Sequence, residues 1–145
     1  MNRLTLGTLA ALALSVTSCG QFETATGYSA NLTGGTGTVA TGTGQANLTL
    51  RGRTLTVLGT FSDLTGAATA AHLYGPGESE SAASVSLALT IDQVTNGARN
   101  GRISGTFTLT EQQITWLNNR QLYVNVHSET YPDGEIRGQI ERLLQ

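Results

Sequence analysis

The chain has 145 residues, with eight Arg, no Lys, ten acidic residues and a formal net charge of −2. Phosphate recognition needs clustered positive charge, and the absence of any basic run argues against nucleic acid as a partner. Eighteen Gly, many Thr and a charged fraction of only 12% suit strands and turns better than helices.

Residues 1–18 read as an export signal peptide. Met1-Asn2-Arg3 is a short basic start, and Leu4 to Val16 is an uncharged apolar run too short to span a bilayer comfortably. Val16-Thr17-Ser18-Cys19-Gly20 then resembles a bacterial lipobox, with small residues just before the sole Cys. It predicts cleavage before Cys19, lipidation of its thiol, and a lipid anchor at the membrane of the cell envelope. The alternative is an ordinary signal peptide that contains a Cys. A single Cys excludes an intrachain disulfide. Residues 19–26 become the lipidated Cys and tether, and residues 27–145 one domain of ordinary size.

Within the domain, Tyr28 to Leu32 reads as a strand, and Thr33 to Gly44 as a Gly/Thr loop. That loop has neither the following helix nor the Lys that a phosphate-cradling loop needs. Ala46 to Leu50 and Leu55 to Phe61 form a hairpin around Arg51-Gly52-Arg53, with apolar residues alternating with Thr and Asn. Ala68 to Tyr74 is a strand stopped by Gly75-Pro76-Gly77, and a polar loop follows to Ala83. Val85, Leu87, Leu89 and Ile91 alternate with Ser86, Ala88 and Thr90, a strand pattern that ends in a turn from Thr95 to Asn100. Ile103 to Leu109 is a further strand. Thr110 then caps a short helix with Gln113 at the capping-box position, and Ile114, Trp116 and Leu117 dock it on the sheet.

The last segment is a hairpin. Leu122, Val124 and Val126 alternate with Tyr123, Asn125 and His127; after a loop from Ser128 to Gly134, Ile136 and Ile140 alternate with Glu135, Arg137 and Gln139. Period two places the polar set on the face opposite the core. Short strands with a turn signal about every ten residues define an all-β chain, an antiparallel β-sandwich or Greek-key barrel with one short helix.

Tyr123-Val124-Asn125-Val126-His127 and Gly134-Glu135-Ile136-Arg137-Gly138-Gln139 resemble the closing motif of the CHRD domain, named for chordin and widespread in secreted bacterial proteins. Ala71-His72-Leu73-Tyr74-Gly75-Pro76 resembles a second family segment, and Tyr28 to Gly34 its opening. The family often carries a second His where this chain has Tyr74. The resemblance spans residues 27–142. In chordin it implies a context of protein interaction.

His72 and His127 are the only histidines, and both face away from the aliphatic side of their strands. The register expected of the last hairpin sets His127 opposite Glu135 and Asn125 opposite Arg137, within contact range. Three readings follow for the cluster His72, Tyr74, Asn125, His127, Glu135 and Arg137. One is a hydrogen-bonded network that pins strand register beneath a loop. Another is the lining of a ligand groove. The third is a copper or zinc site built from His72 and His127 with Glu135 or Tyr74, a placement similar to that in copper/zinc superoxide dismutase. No Gly-x-Ser-x-Gly elbow and no Cys nucleophile occur in the folded part, so no catalytic residues are assigned. The expected function is non-enzymatic binding or scaffolding at the envelope, toward an unknown protein or surface ligand. Tyr131, Pro132 and Asp133 at the tip of the last loop are candidate contacts.

Overall fold

The computed structural model describes residues 23–35, 39–76 and 85–144. The expected signal peptide, Cys19 and most of the expected tether lie outside them, as does the whole polar loop, residues 77–84.

Nine strands and one helix are present among the described residues. β1 (Thr26–Gly34), β2 (Thr43–Arg51), β3 (Thr54–Ser62), β4 (Ala68–Gly75), β5 (Val85–Thr95) and β6 (Asn100–Thr108) come before the helix α1 (Glu111–Asn118). β7 (Tyr123–Ser128), β8 (Ile136–Gln139) and β9 (Glu141–Arg142) come after it. The Gly/Thr stretch is partly strand, since β1 continues to Gly34 and β2 starts at Thr43.

All pairings are antiparallel, and the strands follow one another as β2-β3-β6-β5-β4-β7-β8-β1, with β1 returning to β2. The sheet is therefore a closed barrel of eight strands, the barrel alternative rather than the sandwich. The run β6-β5-β4-β7 is a Greek key. Two strands make the corners. The first half of β5 pairs with β4 through Ala71↔Leu89 to Gly75↔Val85, and its second half pairs with β6 through Thr90↔Ser104 to Asp92↔Arg102. β1 meets β8 at Thr33↔Arg137 and Gly34↔Ile136, and meets β9 at its other end, at Tyr28↔Arg142. A strand shared by two sheets bends the wall round on itself, which two separately stacked sheets never do.

Alternation fills the barrel. Tyr28, Ala30 and Leu32 of β1, Leu48 and Leu50 of β2, Leu55, Val57 and Phe61 of β3, Leu73 of β4, Ile103 of β6, and Val124 and Val126 of β7 are all buried in one apolar cluster. Ile140, between β8 and β9, is also fully buried, and its N–H donates to the Leu122 carbonyl. An eight-stranded barrel is just wide enough for its own side chains, so the interior is core.

The helix behaves as expected. The Gln113 N–H donates to Thr110 Oγ1 at 3.2 Å, and the Thr110 N–H donates to Gln113 Oε1 at 2.8 Å, completing the capping box. Leu117 is buried, Ile114 and Trp116 pack on the core, and Tyr28 Oη donates to Asn118 Oδ1 at 2.7 Å.

Candidate functional site

β7 is buried along its whole length, on both faces. Val124 and Val126 point into the barrel, as alternation demands. Tyr123, Asn125 and His127 point out of it, yet are 0%, 3% and 5% exposed. The cover includes the loop 128–134, which folds back over the outer wall. The Gly134 N–H and the Ser128 N–H both donate to the Tyr131 carbonyl, and the Tyr131 N–H donates to Ser128 Oγ at 3.1 Å. The Asn125 side-chain amide donates to the Asp133 carbonyl at 3.3 Å. Gly134 permits this close approach. Its φ is +119°, and a Cβ there would fall 2.4 Å from the Asn125 amide.

Strand register assembles the cluster. His72 lies opposite Asn125 and Tyr74 opposite Tyr123 across β4 and β7; Asn125 lies opposite Arg137 across β7 and β8. The His72 and His127 rings stand edge to face, with centroids 5.3 Å apart and planes at 83°. Tyr74 lies 5.1 Å from the His72 ring and 5.7 Å from the Tyr123 ring. The Arg137 guanidinium sits over the Tyr123 ring at 3.8 Å, a cation–π contact on the same face.

Hydrogen bonding fixes the state of His127. Its Nδ1 lies 2.7 Å from the Pro132 carbonyl oxygen. A carbonyl only accepts, so Nδ1 carries the proton, and in the neutral ring Nε2 presents a lone pair. Facing that lone pair are His72 Nδ1 at 3.3 Å and Tyr74 Oη at 3.5 Å.

Glu135 does not join them. The expected His127–Glu135 pairing is corrected here, and with it the ligand set His72, His127 and Glu135. Regular pairing of β7 with β8 stops at Val126↔Ile136, and the Glu135 N–H donates to the Val126 carbonyl. This irregularity next to Gly134 turns the side chain away from the imidazoles. The carboxylate instead takes the Thr65 N–H on Oε1 at 2.5 Å, joining the β3–β4 connection to the last hairpin. Burial pushes its carboxyl up, but hydrogen bonds from the Ser128 side chain, Thr65 and Gly66 outweigh burial and hold it below the ordinary carboxylate range. No group of three His, Cys, Asp or Glu residues among the described residues is placed to hold a metal ion; the third donor facing the two imidazoles is the phenol of Tyr74. Sequence reasoning missed two members of the site. Tyr123 shares the alternating face with Asn125 and His127 and was open to discovery on that ground. The Pro132 carbonyl carries no side-chain signal.

The fold and site define a closed antiparallel barrel with a filled core, whose polar cluster is packed onto the outside of its wall. The family model of the CHRD domain matches residues 28–140, and the chain belongs to that family. No curated protein and no solved structure matches it.

Proposed function

We propose that this CHRD domain is a non-enzymatic binding or scaffolding module, held at the bacterial cell envelope by a lipid on Cys19. The observation that supports the binding role is the layer on the outer wall. The barrel interior is occupied by its own core, so a ligand has only the exterior to meet. There, Asn125 and His127 are buried where the loop 128–134 is tied down at Asp133 and Pro132, and Tyr123 is buried beside Tyr74 and Arg137. A contact surface held in place before binding loses less freedom on association. The half-buried Tyr131 and the exposed Pro132 and Asp133 are the groups this layer presents. The anchor rests on the lipobox-like segment Val16 to Gly20, and the non-enzymatic assignment on the lack of a nucleophile motif.

The test separates the two parts. Wild-type chain is expected in the membrane fraction, and Cys19→Ser is expected to release it. Envelopes from cells lacking the protein should then retain added Cys19→Ser chain saturably, and Tyr131→Ala should weaken that retention about tenfold, the effect of losing one aromatic anchor. Release of wild-type chain in soluble form ends the anchoring part. Failure of the envelopes to hold the released chain ends the binding part.

A further inference from the structure

We propose that His72, His127 and Tyr74 form a tetrahedral zinc site on the outer barrel wall, with His72 Nδ1, His127 Nε2 and Tyr74 Oη as ligands and the fourth position open to water. This goes beyond envelope binding and does not depend on the anchor.

Distances carry the argument. The two imidazole nitrogens are 3.3 Å apart, and the phenolic oxygen is 3.5 Å from His127 Nε2. Hydrogen bonds between such atoms centre on about 2.7–3.0 Å, so both contacts lie at the long end of the hydrogen-bond range. They are the right length for neighbours on a metal. Two Zn–N bonds of about 2.0–2.1 Å meeting near the tetrahedral angle hold their nitrogens about 3.3 Å apart. A square arrangement of the same bonds would bring them to about 2.9 Å, so the spacing also selects the geometry.

The surroundings fit the same reading. A histidine that binds metal through one nitrogen usually gives its other N–H to a carbonyl or carboxylate, which fixes the ring. His127 does this through Nδ1 and the Pro132 carbonyl at 2.7 Å. His72 and Tyr74 lie two residues apart on β4, and His127 lies on the adjacent β7, so paired strands rather than a loop set the donor positions. The nearby positive charge of Arg137 is taken up over the Tyr123 ring. For zinc to bind, His72 carries its proton on Nε2 and offers Nδ1 as a lone pair. This is a change of tautomer, in which the ring loses no net proton, whereas Tyr74 binds as the phenolate and gives up its proton to solvent, so zinc uptake releases one proton. Two imidazoles and a phenolate with one open position make a Lewis-acidic centre.

The experiment uses the chain carrying Cys19→Ser, which has no lipid and leaves no thiol to compete. Zinc chloride is titrated against a chromophoric chelator, and cobalt(II) serves as a probe whose absorption separates four-coordinate from six-coordinate sites. One equivalent of zinc and a four-coordinate cobalt spectrum are expected. His72→Ala should weaken zinc by at least about 100-fold, and Tyr74→Phe, which keeps the ring and removes only the oxygen, by about tenfold with an altered cobalt spectrum. Circular dichroism shows whether each variant is folded. Folded wild type that takes up no zinc at micromolar concentration overturns the proposal, as does undiminished affinity in Tyr74→Phe together with His72→Ala. A six-coordinate cobalt spectrum overturns the tetrahedral assignment.

Discussion

The Glu135 carboxylate has no exposed surface, yet its surroundings hold it ionised. Burial alone would favour the neutral acid. The donors on Ser128, Thr65 and Gly66 reverse that preference, so the folded protein binds this proton more weakly than the unfolded chain does. The sign for stability follows. The contribution is complete above the ordinary carboxylate pKa of about 4.3 and is lost as the pH falls through the lower value of the folded state. Glu135→Gln removes a charged acceptor and is expected to cost about 1–3 kcal/mol at neutral pH in urea denaturation. The gap between wild type and variant should close as the pH falls below about 4, because wild type then loses what the variant never had. A gap that stays constant with pH would show that the charge of Glu135 has no part in stability.

At the scale of elements, the loop between β7 and β8 decides what the outer wall looks like. Gly134 is its pivot, with a φ of +119° and the Asn125 amide packed where a Cβ would be. Gly134→Ala is therefore expected to cost about 1–3 kcal/mol in backbone strain and displaced packing. It should also speed amide exchange at Gly134 and Glu135 while leaving the β2–β3 hairpin protected, which exchange measured by NMR will show. How far the sequence revealed the site can be read from this loop. The Asn125↔Arg137 register followed from alternation once the loop was bounded at Ser128 and Gly134. The Thr110 cap and its partner Gln113 were legible because a capping box is local. Glu135 was not, because alternation assumes a regular ladder and the backbone departs from one just after the glycine. A cluster beneath a loop was one of three readings for His127 and Asn125, and alternation could not select it, since their burial depends on a loop folding back rather than on the strand itself.

For the molecule as a whole, the question is where the wall closes. Sandwich and barrel share the same alternation along each strand, so the sequence could offer both without choosing between them. The choice lies in a long-range contact, the meeting of β1 with β8 through Thr33↔Arg137 and Gly34↔Ile136. Gly138 makes the approach possible, since a Cβ there would stand 2.1 Å from the backbone oxygen of Asn31. Neither backbone can yield cheaply at that point. Gly138→Ala is expected to cost about 3 kcal/mol or more in thermal unfolding, with lost exchange protection at Leu32 to Gly34. Unchanged protection there would mean that the seam tolerates a side chain. The seam also joins segments that are made at different times. β1 leaves the ribosome early, and the strand that completes its edge follows on the order of a hundred residues later, a separation that slows the search for native contacts. Until β8 emerges, β1 has one edge without its final neighbour, so the newborn chain must be shielded from other strands. Translocation through a narrow channel would pose no conflict with folding, because the barrel stays unsealed until almost all of the chain has passed.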